Sequence, residues 1–101
     1  MNKVIIVGNV TADVELQIAK KVDYARFSVA VNRYDGEADF IPVTTFGEQA
    51  KNCAMYLRKG KKVAVCGALQ IETYETKHGD KALSPSIIAQ TVEFLSPATK
   101  E

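Results

Sequence analysis

The stretch that decides the fold lies at residues 25–34 and has the sequence ARFSVAVNRY. Its odd-numbered positions are apolar: Ala25, Phe27, Val29 and Val31. Its even-numbered positions are mostly polar and include Arg26, Ser28, Asn32 and Tyr34. Because successive side chains of a strand point to opposite faces, this alternation predicts a β-strand with one buried face. Phe27 shares the apolar face and is predicted to lie in the core.

Strand patterns also occur on both sides of this stretch. They cover Lys3–Val10, Val14–Ile18, Phe40–Phe46, Lys61–Tyr74 and Leu83–Leu95. Gly8 and Gly67 lie inside two of these segments, where an isolated glycine indicates a bulge or a bend. Pro42 has no backbone N–H to donate, which predicts an edge or an irregular position for it.

One segment has the period of a helix instead. Its apolar residues recur at i, i+3, i+4 and i+7: Ala50, Cys53, Ala54 and Leu57. This spacing predicts a helix over Glu48–Arg58, and Gly60 is a stop signal just beyond it. The elements together predict a mainly all-β fold, a five-stranded OB-fold Greek-key barrel with one short α-helix between strands 3 and 4.

Length and composition limit the classes of protein to which the chain can belong. Its 101 residues include 13 Lys and Arg against 12 Asp and Glu, and 47% of them are hydrophobic. A chain of this size buries roughly 60–68% of its unfolded surface, which is enough for one core. This composition argues against an intrinsically disordered chain. One domain is expected over residues 1–96, followed by a short C-terminal end at residues 97–101.

The sequence offers no signal for a membrane. Its longest apolar run, Val4–Val7, is far shorter than the roughly 20 residues of a membrane-spanning helix. The N-terminus has no basic stretch followed by an apolar signal region, so a cytoplasmic location is expected. Because the net charge is only +1, any binding of nucleic acid has to come from a local patch of charge.

Four aromatic residues occupy strand positions whose neighbours of the same parity are polar or proline: Tyr34, Phe40, Phe46 and Tyr74. Rings that face solvent can stack against unpaired bases, and such stacking is largely indifferent to base identity. The alternative is that a loop, an end of the barrel or another subunit covers them. We interpret these four rings as candidate stacking positions for a single-stranded nucleic acid.

Basic residues near these rings are candidates for contacts with phosphates: Lys3, Arg26, Arg33, Lys59, Lys61, Lys62 and Lys77. Cations of this kind attract the phosphate chain of a nucleic acid. Taken singly, each of them is as well explained as a solvated surface charge.

Features of an enzyme or a metal site are missing from the sequence. Cys53, Cys66 and His78 lack the short paired spacing of a zinc site, and the two cysteines fit buried structural thiols. His78 lies in a glycine-containing turn with no nucleophile motif beside it. The glycines do not have the spacing of a phosphate-binding loop. We therefore predict no catalytic residue, no metal and no cofactor.

Several segments resemble those of the bacterial single-stranded DNA-binding proteins. They are Asn2–Val10, Phe27–Arg33, Glu37–Ile41, Phe46-Gly47 and Tyr56–Gly60, followed by Val63 and Gly67. The similarity extends in consistent order from Asn2 to about Leu95.

This resemblance implies an OB-fold protein that assembles as a homotetramer. Such a protein binds single-stranded DNA in replication, recombination and repair, in the cytoplasm and associated with the nucleoid. It also implies stacking rings at Phe40, Phe46 and Tyr74, with Tyr34 at or next to a fourth position. Lys3 and Lys59 match basic positions of the family that approach the DNA backbone.

The chain also departs from the family. Members of the family are often basic at the positions that correspond to Pro42, Glu48, Gln70 and Glu72. This difference predicts that the present chain neutralises phosphates less strongly than they do. The acidic C-terminal tail through which members recruit protein partners is not expected after Pro97. Two alternatives remain open: a dimeric protein resembling primosomal replication protein N, and an OB-fold module that binds proteins without nucleic acid.

Overall fold

The computed structural model describes residues 1–96, and the predicted C-terminal end at 97–101 lies outside the described residues. The elements are β1 (Val4–Val10), β2 (Leu16–Gln17), β3 (Tyr24–Asn32), β4 (Ala38–Phe46), α1 (Gly47–Tyr56), β5 (Lys62–Glu75) and β6 (Lys81–Phe94). The five predicted long strands and the helix are confirmed. The predicted strand at Val14–Ile18 is reduced to the two residues of β2.

The strands form one sheet that closes on itself. Their order is β1-β5-β6-β4-β3-β2, and β1 pairs with β3 as well as with β5. Every pairing is antiparallel except that of β4 with β6, which is parallel. The five long strands thus have the arrangement of an OB-fold, with α1 between the third and fourth of them, as predicted.

The core fills the inside of this closed sheet. Ala25, Phe27 and Val29 of β3 are buried, so the alternation at residues 25–34 is confirmed. Other strands contribute Val43, Val63, Val65 and Ile87 to the same cluster. Burial of one such aliphatic side chain contributes roughly 1.5–3 kcal/mol, so these residues hold the strands in register.

Helix α1 buries Ala50 and Cys53 and packs against β3, β4 and β6. The helix ends at Tyr56, two residues before the predicted end, because Leu57 adopts an extended conformation. The N–H of Leu57 donates to the carbonyl oxygen of Cys53 at 2.9 Å. The buried side chain of Leu57 then continues the apolar face of the helix into the core.

Two glycines inside strands have different roles. Gly8 is predicted to mark a bulge or a bend, and the bulge is wrong, since β1 pairs with β5 without interruption through Gly8 and Val63. A Cβ atom at Gly8 would collide with the carbonyl oxygen of Ala30 on β3, so this glycine allows the two strands to approach. At Gly67 the β5–β6 register does shift, which confirms the irregularity predicted there.

Two predictions concern β4 and the turn before it. Pro42 pairs with Ser28 of β3 and precedes the two positions at which β4 pairs with β6, so the predicted edge-like position is confirmed. Tyr34 was predicted to extend β3, which is wrong, because the strand ends at Asn32. The N–H of Arg33 donates to the carbonyl oxygen of Glu37 at 2.8 Å and closes a turn that contains Tyr34.

Candidate nucleic-acid interface

The register of the strands brings three of the four predicted rings to one side of the barrel. Thr44 of β4 is level with Ile88 of β6, and Ser86 of β6 is level with Gln70 of β5. By strand alternation, Phe40 and Phe46 on β4 therefore share a side of the sheet with Tyr74 on β5. We call this side of β3, β4, β6 and β5 the outer face.

The rings on the outer face are exposed to different extents. Phe40 retains 67% of its accessible surface, Tyr74 54% and Phe46 44%. A single exposed ring is ordinary, whereas a group of exposed apolar side chains on one surface marks an interaction site. The exposure predicted for these three rings from strand parity is confirmed.

Phe46 lines a groove of about 280 Å³ on the outer face. The other lining residues include Arg26 of β3, Pro42 and Thr44 of β4, Ser84 and Ser86 of β6, and Gln70 and Glu72 of β5. The groove thus combines a ring, a cation, a carboxylate and uncharged groups that form hydrogen bonds. It can hold a planar, polar group against the ring of Phe46.

Phe40 belongs to a second cavity, which is almost entirely apolar and has a volume of about 300 Å³. Its lining comprises Val4, Phe40, Ile41, Pro42, Leu69, Pro85, Ser86 and Ile87. Pro42 and Ser86 line both this cavity and the groove at Phe46, so the two are adjacent. A chain that crosses the outer face could therefore contact both rings in succession.

Tyr34 does not join the other rings. It lies in the turn between β3 and β4, where its side chain is fully exposed. Its neighbours along a shallow surface depression are Asn32, Arg33 and Asp35. The fourth predicted stacking ring therefore lies on a turn beyond the groove.

Arg26 is a predicted cation that lines the same groove as the predicted ring of Phe46. Its guanidinium carbon lies 5.5 Å from the centroid of Tyr24, in a cation–π contact. That contact holds the side chain over β3, and Arg26 also lines the groove at Phe46. A positive charge at this position faces a ligand stacked on Phe46.

Arg33 has a different environment. Its guanidinium pairs with Asp39 at 2.7 Å, and a second carboxylate, that of Asp35, lies 3.8 Å away. A phosphate would have to compete with these two carboxylates for the arginine. Arg33 is therefore a weaker candidate for a phosphate contact than its charge suggests.

The lysines lie at opposite ends of the long strand β5. Lys59, Lys61 and Lys62 precede it or begin it, whereas Lys77 lies in the turn that follows it. The strand has 14 residues, so its two ends are roughly 40 Å apart. Lys3 is exposed just before β1. These lysines do not form one cluster with the rings, and only a long ligand could contact both ends.

Comparison with known proteins identifies the family. The model of the single-strand binding protein family matches residues 1–95. The chain belongs to this family.

Relatives within the single-strand binding protein family cover nearly the whole chain. The chain is 39% identical over 104 residues to single-stranded DNA-binding protein 1 of Staphylococcus aureus strain Mu50, covering 96% of this chain and 67% of that protein. A single-stranded DNA-binding protein of Clostridium tetani is 38% identical over 108 residues, which is 100% of this chain and 74% of the relative. Single-stranded DNA-binding protein 1 of Clostridium acetobutylicum is 36% identical over 103 residues, which is 94% of each chain.

The other side chains singled out in this family member are structural or isolated. Cys53 is buried, and burial raises the pKa of its thiol to about 11. Cys66 is partly buried on β5, and His78 is exposed in the turn that follows the same strand. Within residues 1–96, no group of three His, Cys, Asp or Glu side chains is arranged to hold a metal ion. Over the same range, no helix is long and apolar enough to cross a membrane.

Sequence reasoning missed several features of this family member's surface. It did not identify Pro85 and Ser86, which line the cavities, because their position depends on the parallel pairing of β4 with β6. It also missed Asp39 as the partner of Arg33. The opposite charges of these residues on the two sides of the turn at Asp35-Gly36 were the signal available for that pair.

Proposed function

We propose that this protein binds single-stranded DNA with little dependence on sequence, and that it acts by binding alone, without catalysis. The observation that carries the proposal is the outer face, where Phe40, Phe46 and Tyr74 are exposed on one side of a barrel of the single-strand binding protein family. Each base stacked on such a ring contributes on the order of 1–3 kcal/mol, whatever its identity. The names of the relatives support DNA as the ligand.

Phosphates are the second part of the proposed interaction. Arg26 contacts the DNA backbone beside Phe46. A longer piece of single-stranded DNA that passes over the rest of the barrel contacts Lys3, Lys59, Lys61, Lys62 and Lys77. Glu72 and Gln70 supply no positive charge in the groove. The affinity should therefore depend on stacking more than on charge.

The proposed cellular role follows from the ligand. Single strands appear as intermediates of replication, recombination and repair, and a protein that binds them without regard to sequence protects them in all three processes. Such a protein works in the cytoplasm at the nucleoid. No cofactor or metal takes part in this activity.

We also propose that the protein associates with copies of itself, as a homotetramer. Ile5 and Val7 of β1 retain 68% and 46% of their accessible surface, and they lie on the same side of that strand. β1 pairs with β3 only at Asn9 and Val10, so one edge of its first half has no partner strand among the described residues. An exposed apolar strand with a free edge favours association.

Light scattering tests this assembly. A tetramer is expected for the wild type, and a double variant Ile5→Lys and Val7→Lys should have a lower mass. A wild-type dimer would favour the alternative that resembles primosomal replication protein N.

A binding module for proteins is the second candidate function. The observations that favour it are the acidic residue Glu72 in the groove and the pairing of Arg33 with Asp39. Fluorescence anisotropy separates the two candidates. A labelled oligo-dT of about 35 nucleotides, which spans several sites of roughly 4–16 nucleotides, is titrated beside a duplex of the same length at two salt concentrations. Binding of the single strand alone supports the proposal, and absence of binding at low salt favours the protein module.

A further inference from the structure

The groove at Phe46 has opposite charges on its two sides. Arg26 is on β3 and Glu72 is on β5, with β4 and β6 between them. The strand register makes Arg26 level with Ala68 of β5. Glu72 is therefore three strands away and four residues further along β5, so the backbones of Arg26 and Glu72 are roughly 20 Å apart. A nucleotide also has two different ends, the phosphate and the hydrogen-bonding edge of the base. Arg26 and Glu72 both line the groove, so a nucleotide with its phosphate at Arg26 has the edge of its base towards Glu72.

The carboxylate of Glu72 is available to such an edge. Its side chain is exposed, and among residues 1–96 no cation lies within ion-pair distance of it. Gln70 lies two residues before it on the same face, and Ser84 is its cross-strand neighbour on β6. These groups form a short row of polar side chains along the groove that Phe46 also lines.

An ionised carboxylate only accepts hydrogen bonds. On a surface that binds a polyanion it repels every phosphate, so its favourable partners in DNA are the N–H groups of the bases. Cytosine differs from uracil and thymine in the group at C4, on the hydrogen-bonding edge of the base. Cytosine has an amino group at C4, which donates a hydrogen bond to a carboxylate. Uracil and thymine have a carbonyl oxygen at C4, which a carboxylate repels.

We propose that Glu72 is a specificity-determining residue of this groove and makes it favour cytosine over uracil or thymine. This inference rests on the proposed function, because it requires a single strand to be bound on the outer face. Stacking on Phe46 remains indifferent to the base, and Glu72 adds a preference at this one position. The protein as a whole therefore stays tolerant of sequence and has a bias towards cytosine.

The test compares oligo-dC with oligo-dU of about 35 nucleotides, by anisotropy at neutral pH. Uracil replaces thymine so that a methyl group does not contribute to the difference. The quantity measured is the ratio of the two dissociation constants, because the ratio cancels the repulsion that Glu72 exerts on all phosphates. In Glu72→Ala the preference for oligo-dC should fall by about fivefold, the lower end of the range for one base-edge contact.

Glu75→Ala is the matched control. Glu75 is three residues further along β5 and therefore on the opposite face of the strand, and its replacement removes the same charge from the same strand. The ratio should stay at the wild-type value in this variant. A change in Glu72→Ala with none in Glu75→Ala supports the assignment.

Two results overturn the inference in distinguishable ways. If Glu72→Ala strengthens binding of both oligonucleotides by the same factor, the carboxylate only repels phosphates, and the inference fails while the proposed function stands. If the wild type binds neither oligonucleotide, the proposed function fails and this inference fails with it.

Discussion

Oδ1 of Asp39 accepts two hydrogen bonds from Arg33, one from Nε at 2.9 Å and one from Nη2 at 2.7 Å, across the turn between β3 and β4. These hydrogen bonds are the main cause of a raised pKa at Arg33 and of a lowered pKa at Asp39. Arg33 is a cation that the sequence predicted to contact phosphate. In the free protein this cation is already neutralised by a carboxylate.

Asp39→Asn should therefore strengthen binding of oligo-dT. The substitution removes the competing charge and leaves Arg33 free to meet one phosphate, which steepens the dependence of log K on log salt by about 0.7. Anisotropy titrations at three or more salt concentrations measure this slope. Arg33→Ala in the wild-type background should change the slope much less. An unaltered slope in Asp39→Asn would show that Arg33 does not reach the DNA.

Phe46→Ala and Phe40→Ala should each weaken binding of oligo-dT by about 1–3 kcal/mol, because each removes a stacking ring. Both side chains are exposed, so the thermal midpoint of unfolding should change little. Phe27→Ala is the contrasting substitution, since that ring is buried and its loss costs about 3–5 kcal/mol of folding free energy. Full affinity in both exposed-ring variants would refute the stacking role.

Lys59→Ala should reduce the salt dependence of binding by a slope of about 0.7, the value for one phosphate of a single strand. The loss of affinity should be similar for oligo-dT and oligo-dC, because a phosphate contact carries no information about the base. Lys20→Ala removes an equal charge from an exposed position that was not predicted to contact DNA. If the two variants have the same slope, Lys59 contributes only to the general charge of the protein.

Cys53 predicts a dependence of stability on alkaline pH. Burial raises the pKa of its thiol from 9.0 to about 11, an effect partly offset by a hydrogen bond with Thr45. Between these two values the unfolded state releases the thiol proton and the folded state keeps it. The free energy of unfolding should therefore fall as the pH rises through this range, by at most about 1.4 kcal/mol per pH unit.

Cys53→Ala isolates this contribution from the other groups that titrate at high pH. Urea denaturation under reducing conditions should show the difference in stability between wild type and variant narrowing from about pH 9 to about pH 11, between the ordinary pKa of the thiol and its raised value. A difference that stays constant would mean that the thiol ionises equally in both states.

The local features of the fold could be predicted from the sequence because they depend on short-range patterns. The alternation around Phe27 specifies a strand with one buried face, and the spacing of Ala50, Cys53 and Leu57 specifies a helix. The exposure of Phe40 and Phe46 followed from the same parity argument. Each of these predictions needs only a few neighbouring residues.

The remaining features depend on contacts between distant segments. Whether Gly8 marks a bulge or a close approach depends on Ala30 of β3, which no pattern around Gly8 contains. The groove and the apolar cavity adjoin at Pro42 and Ser86, and this depends on the register between two parallel strands. Tyr34 was misplaced because the alternation continues past Asn32, where backbone hydrogen bonds turn the chain.

Two-dimensional ¹H–¹⁵N NMR of the whole protein tests most directly whether single-stranded DNA binds on the outer face, because it maps the DNA-binding surface. A short oligo-dT of about 8 nucleotides, within the range of sites on one barrel, is added stepwise. We expect the largest shifts at Arg26, Phe46, Gln70, Tyr74 and their neighbours on the outer face. Shifts concentrated on helix α1, with none on β4 and β5, would contradict this expectation.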